Sequence, residues 1–271
     1  MLELADLKAK SEWVRRETLL LHRRCPETRL ASSLSCVEIL TALFYGGVLR
    51  FDPRQPRWEG RDRFLVSKGH GSISFYPILA DLGFIDMGEL EAISQEHGVL
   101  KVIPDTLISG YETINGSLGH GPGVACGVAL ALRGRGSDRG VFALTGDGEL
   151  NEGSVWEAVM FAGHHALRNL TLVVDRNGAS MLGFCRDILD LSPLADKFRA
   201  FGWEAMEVDG HDLSALVGAF GRSRAPDRAR PLAIMANTVK GKGVPWLETD
   251  PLSHIRILKP EQVDAVLGGE S

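Results

Sequence analysis

Five short apolar runs constrain this chain more than any other feature: RFLV (63–66), VFALT (141–145), LTLVV (170–174), AMEV (205–208) and LAIMAN (232–237). Each has strand length, and several end beside Gly, Asp or Asn, so they read as buried strands. Helix-length segments lie between them, namely GSLGHGPGVACGVALALRG (116–134), NEGSVWEAVMFAGHHAL (151–167) and LSALVGAFGRS (213–223). Strands alternating with helices require right-handed crossovers, which predicts an α/β fold, a mostly parallel sheet flanked by helices on both faces. Such sheets bind ligands beyond the carboxyl ends of their strands, where loops meet helix N-termini. GDG after 141–145 and DRN after 170–174 fall on that edge.

With 271 residues, 44% of them hydrophobic, the chain has ample material for a sizeable core. It shows no repeat and no low-complexity tract, and its loosest stretch, GRSRAPDRARP (221–231), reads as a polar loop before a strand. A single continuous domain over 1–271 is the expectation. The 30 basic and 35 acidic residues leave a charge of −5, and the Lys and Arg are scattered, which disfavours nucleic acid as a partner. Cys25, Cys36, Cys126 and Cys185 are far apart and form no CxxC pair, so reduced thiols in a cytoplasmic protein are expected. The N-terminal MLELADLKAKSEWVRRETLLLHRR mixes charges through its apolar residues and reads as an amphipathic helix, with no secretion signal and no membrane span.

Asp147 follows one predicted strand and Asn177 the next, 177 − 147 = 30 residues later, a gap that a helix plus a strand can fill. Mg²⁺ takes carboxylate, neutral carbonyl, water and phosphate oxygens in a near-octahedral array. Asp147, Asn177 and a backbone carbonyl near Ala179 supply that mixture. Gly146 and Gly148 would let a diphosphate approach the backbone, Gly148 offering its N–H, and a helix starting near Asn151 would add its dipole. For GDG alone the competing reading is a type I′ or II turn with Asp147 as a helix cap.

GDG with a downstream Asn resembles the pattern of thiamine diphosphate enzymes, and the wider chain resembles the N-terminal, diphosphate-binding domain of transketolases. The matching segments run in family order: SSLSCVEIL, GGVLRFDPRQPRW, RDRFLVSKGHGSISFY, GYETINGSLGHG, GDGELNEGSVWEA, NLTLVVDRNGAS, GHD and VKGKG. The resemblance implies Mg²⁺ on Asp147, Asn177 and Ala179. It places Ser32, His70, Gly116, Ser117, Leu118, Gly148, Glu149, Asn177, Lys240 and His254 beside the cofactor, with His70, His254 and Glu157 in catalytic roles. Glu152 and Glu157 would lie at the interface between cofactor-binding domains, one of them meeting the glutamate that activates the aminopyrimidine. Without the resemblance, His70 reads as a structural histidine, Ser32 and Lys240 as a cap or a surface residue, and the two glutamates as charge in the first turns of a helix. His22, His97, His164, His165 and His211 read as structural or surface residues, and the tryptophans as core or interface residues.

A full transketolase is more than twice this long. The resemblance therefore implies one subunit of a split enzyme, whose C-terminal-type partner supplies the pyrimidine site and the activating Glu, in a two-plus-two heterotetramer. The implied reaction moves a two-carbon ketol unit from a ketose phosphate. Alternatives are a subunit passing an acyl unit to a lipoyl group or carrier protein, and a non-catalytic scaffold. Three positions depart from the family: Arg29 and Ile103 stand where substrate histidines are usual, with Asp105 following, and His120 replaces a common glutamine. A fixed cation at position 29 suits a carboxylate, sulfonate or phosphate on the substrate.

Overall fold

The computed structural model describes residues 2–104 and 108–268, so Asp105 lies outside the described residues. Five strands, β1 (Arg63–Val66), β2 (Val141–Gly146), β3 (Leu170–Arg176), β4 (Glu204–Asp209) and β5 (Leu232–Asn237), form one parallel sheet in the order β1-β2-β3-β5-β4. The helices are α1 (Leu4–Arg24), α2 (Leu30–Leu34), α3 (Val37–Tyr45), α4 (Phe75–Leu82), α5 (His120–Gly134) and α6 (Gly153–His164). Beyond β3 come α7 (Cys185–Ile188), α8 (Leu194–Ala200), α9 (Leu213–Arg222), α10 (Pro245–Glu248) and α11 (Pro260–Gly268).

Side chains alternate across each strand, so one run feeds two cores. Phe64, Val66, Phe142, Leu144, Val173 and Ile234 pack with residues of α1, α3, α4 and α9 on one face. Leu65, Ala143, Leu172, Val174 and Met235 pack with residues of α5, α6 and α8 on the other. Among the described residues no helix is long and apolar enough to cross a membrane.

Four local expectations are corrected. The AMEV run is not a buried strand: β4 lies at the sheet edge, and its residues are half-buried or exposed. The segment from Gly116 is helical only from His120, because Gly116 at φ 138° and Gly119 at φ 84° sit in a left-handed conformation that interrupts a right-handed helix. After GDG, a 3₁₀ turn over Gly148–Asn151 intervenes, and α6 begins at Gly153. The GDG turn is also neither type I′ nor II, since Asp147 is right-handed at φ −65°, ψ −36° and neither flanking glycine has positive φ.

Candidate active site

Parallel pairing sets Gly146 of β2 opposite Asp175 of β3, which brings the two following loops side by side at the carboxyl edge. The Asp147 N–H donates to the Asp175 carbonyl at 3.2 Å. The Asp147 carboxylate accepts from the Gly148 N–H at 2.9 Å and from the Gly178 N–H at 2.7 Å. The capping role thus holds, and the Gly148 N–H is already engaged. Asn177 bridges downward, its Nδ2 donating to Asp175 Oδ2 at 3.0 Å and its Oδ1 accepting from the Ala179 N–H at 3.2 Å. Burial, reinforced by the negative Asp175, raises Asp147 to about 6. Its carboxylate forms no ion pair among the described residues, its partners being two backbone N–H groups and the Cys185 thiol.

That is the setting a hard cation relieves, and Asp147, the Asn177 amide oxygen and the Ala179 carbonyl form an all-oxygen donor set that fits one. No cluster of three or more His, Cys, Asp or Glu able to hold a metal occurs among the described residues, so the chemistry offered is that of oxygen ligands.

The cofactor-side residues gather beside this loop pair. Lys240 is buried and donates to the Ala179 carbonyl at 2.7 Å, with His254 Nδ1 at 3.1 Å. Ser32 Oγ lies 3.3 Å from the same nitrogen. With an ammonium and a hydroxyl both facing Nδ1, the His254 proton belongs on Nε2. The His254 and His70 rings stand 4.9 Å apart. Burial and the nearby charges of Lys240, Arg29 and Lys68 lower His254 to about 3. His70 is held well below its usual range by burial, with Lys68, His254, Lys240 and Arg29 adding to it. Both imidazoles are therefore neutral near pH 7. Burial, then Lys68, brings Lys240 down to about 8.

Arg29, at the N-terminus of α2, thus acts electrostatically on both imidazoles. Ile103 is exposed, on a segment fixed through the Tyr76 hydroxyl donating to the Lys101 carbonyl at 2.7 Å. Gly116 and Ser117 are exposed and Leu118 half-buried, on a loop that reaches the SKGHG segment. A Cβ on Gly69 would lie 2.6 Å from Asn115 Cβ, so that approach depends on glycine. Glu149 turns into the protein. Its carboxylate accepts from the Ser67 hydroxyl, from the Gly119 N–H at 2.9 Å and from the Gly146 N–H at 3.3 Å. Glu157 lies apart from the imidazoles, exposed on α6 beside Gly119, His120 and Phe161.

Sequence reasoning missed the ion pair beneath the site. Lys68 and Asp175, 1% and 0% exposed, are in direct contact. Lys68 Nζ also donates to the Ser32 carbonyl at 2.9 Å. Asp175 additionally accepts from Ser35 Oγ at 2.6 Å, from Asn177 and from Thr238. Burial opposes both charges, yet mutual attraction leaves Lys68 above and Asp175 below its ordinary range. The available signal was two opposite charges, each just past or within the end of an apolar strand. His22 and His211 are structural: His22 bridges Thr28 and Leu258, and His211 bridges Glu38 and Val239.

A parallel α/β sheet whose carboxyl edge joins an oxygen donor set to neutral imidazoles and a buried ammonium suits a protein that binds an anionic, phosphate-bearing ligand together with a hard cation. Residues 30–267 match the family described as "Transketolase, thiamine diphosphate binding domain". The chain is 37% identical over 264 residues to an apulose-4-phosphate transketolase subunit of Actinobacillus succinogenes, covering 97% of this chain and 95% of that protein. It is 34% identical over 263 residues to a 6-deoxy-6-sulfo-D-fructose transketolase subunit of a Clostridium species, covering 97% and 95%. The transketolase of Campylobacter jejuni superposes with a TM-score of 0.91 at 27% identity, over 99% of this chain and 43% of that one. The chain belongs to the transketolase family, of which it carries the thiamine diphosphate-binding domain.

Proposed function

We propose that this chain is the diphosphate-binding subunit of a heteromeric transketolase, and that residues 1–271 form one domain whose pyrimidine-side complement resides on a second polypeptide. Relatives matched over nearly their whole length bear the name of a subunit, which supports a partner of the C-terminal transketolase type. A two-plus-two assembly and a cytoplasmic setting, in keeping with four free cysteines, complete this reading.

The observation that carries it is the carboxyl edge itself. There Lys240 and Arg29, both without a carboxylate ion-pair partner among the described residues, face two neutral imidazoles beside the Asp147 carboxylate. Asp147, Asn177 Oδ1 and the Ala179 carbonyl would hold Mg²⁺, while His70, His254, Ser32 and Lys240 would hold the diphosphate. Lys240 occupies the Ala179 carbonyl here, and by donating to a diphosphate oxygen instead it would release that carbonyl to the cation. Bound thiamine diphosphate supplies the carbanion chemistry that moves a two-carbon ketol unit from a ketose phosphate to an aldehyde. As neutral imidazoles each offers one N–H donor and one acceptor nitrogen at pH 7, which suits them to hydrogen-bond and orient diphosphate or substrate oxygens. Arg29 offers a planar cation to an anionic substrate group.

Transfer to a lipoyl group or carrier protein, and a purely scaffolding role, are disfavoured by the transketolase character of relatives along the whole chain. The test is calorimetry of the chain with its partner subunit. Asp147→Ala should abolish Mg²⁺-dependent cofactor binding with an unchanged circular-dichroism spectrum, and unaltered binding would overturn the assignment. The reaction fails as a reading if the reconstituted pair, with Mg²⁺ and thiamine diphosphate, cleaves no ketose phosphate.

A further inference from the structure

At the opposite edge of the sheet, where β1, β2 and β3 begin, lies a second cavity of about 260 Å³. Strands of this length put roughly 20 Å between it and the cofactor edge. Arg50, Arg168, Arg224 and Arg228 all line it. Arg50 donates to Asp138 Oδ2 at 3.0 Å, and Arg224 is ion-paired with Asp62, so two of these charges are matched. Among the described residues Arg168 and Arg228 have no such partner. Arg228 is only 5% exposed, and its guanidinium donates to neutral acceptors: the carbonyls of Leu170 at 3.1 Å, Ser223 at 2.9 Å and Arg230 at 3.3 Å.

Burial lowers Arg228 to about 10; Glu204 offsets this only in part, being paired with Arg222, and Arg222, Arg224 and Arg168 add to it. A buried cation held by carbonyls alone and surrounded by like charges is uncompensated, and proteins seldom retain one without an anion to meet it. Two polar atoms on the same wall are also unsatisfied. Ser223 Oγ and Asn169 Oδ1 are buried and lack any hydrogen-bond partner among the described residues. The Ser223 hydroxyl can donate to an anion, and Asn169 Oδ1 can accept from a ligand hydroxyl. Gly140 keeps the space open, since a Cβ there would come within 3.0 Å of Arg224 Nη1.

We propose that this cavity is a binding site for phosphate or a small hydroxylated phosphate monoester, with Arg168, Arg228 and Ser223 gripping the phosphoryl oxygens and Asn169 receiving a hydroxyl. The site stands independently of the ketol-transfer reading. The full-length chain, saturated with Mg²⁺ and thiamine diphosphate, is titrated calorimetrically at fixed ionic strength with inorganic phosphate, ribose 5-phosphate and ribose. Both phosphate-bearing probes should give saturable heat and ribose none. An ester that binds tighter than phosphate and loses that margin in Arg168→Ala identifies a phosphorylated sugar as the occupant, and equal affinities identify free phosphate. Arg168→Ala and Ser223→Ala should each weaken binding at least fivefold without altering the melting curve, whereas Arg16→Ala, an exposed arginine on α1, should leave it unchanged. Absence of saturable heat from both phosphate-bearing probes, or heat unchanged in both cavity variants, overturns the proposal.

Discussion

Lys68→Met tests the ion pair on which the site rests. Lys68 and Asp175 are shielded from water almost completely, and removing one partner of such a pair costs about 3–5 kcal/mol because the other charge stays buried. Asp175 would keep the donors Ser35 Oγ at 2.6 Å, Asn177 Nδ2 at 3.0 Å and Thr238 Oγ1, which places the expected loss near the lower limit, about 3 kcal/mol. For a chain of this size that corresponds to a drop in Tm of roughly 6 °C. Urea unfolding followed by circular dichroism, extrapolated linearly to zero denaturant, measures it. The double variant Lys68→Met with Asp175→Asn removes both charges and should recover more than half of the loss, since the amide oxygen can still accept from one of the Ser35 and Thr238 hydroxyls while its NH2 donates to the other. A loss below about 1 kcal/mol in Lys68→Met, or a double variant less stable than the single, would refute the argument that attraction outweighs desolvation here.

Acid should weaken the fold through His22. Burial lowers its pKa to about 4, and its Nε2 accepts the Leu258 N–H, so no proton fits there. The unfolded chain takes up that proton near pH 6.5 and the folded chain only near 4, so stability falls as pH drops through this window, by about 2 kcal/mol between pH 7.5 and 5. His22→Gln should flatten that part of the urea-midpoint profile, and an unchanged slope would count against the reading. Gly119→Ala should cost about 1–3 kcal/mol, because its φ is 84° and the new Cβ would meet Ser154 Oγ at 2.6 Å. Gly123→Ala on the same helix meets nothing within 4 Å and should melt no lower than wild type; equal losses in the two variants would contradict this account.

The sequence made the sheet legible because its central strands are buried on both faces, so apolar runs mark their limits within two residues. AMEV looked alike but lies at an edge, and edge position is a property of strand order, which composition does not carry. The helix starts were misplaced because the positive φ of Gly116 and Gly119 is not carried by residue type alone, and at Gly119 a Cβ would also meet Ser154 and Glu152, which the sequence does not show as neighbours. In the site, Ser32, His70, Lys240 and His254 were identifiable only through resemblance to a family, since residues up to 222 positions apart meet there. Lys68 and Asp175, 107 positions apart, escaped because pairing them requires knowing which strands are neighbours. Arg228 was hidden inside a stretch whose polarity suggested a solvated loop.

The Glu149 carboxylate has a mechanical consequence. It fastens the end of β1 at Ser67, the GDG turn at Gly146 and the start of α5 at Gly119 to a single point. These three segments therefore open together or not at all, and their amides belong to one cooperative unit of hydrogen exchange. A ligand that steadies the GDG turn thereby also stiffens the α5 entrance, whose outer side adjoins the exposed Glu157, so occupancy of the cofactor edge is felt on the far side of that helix start.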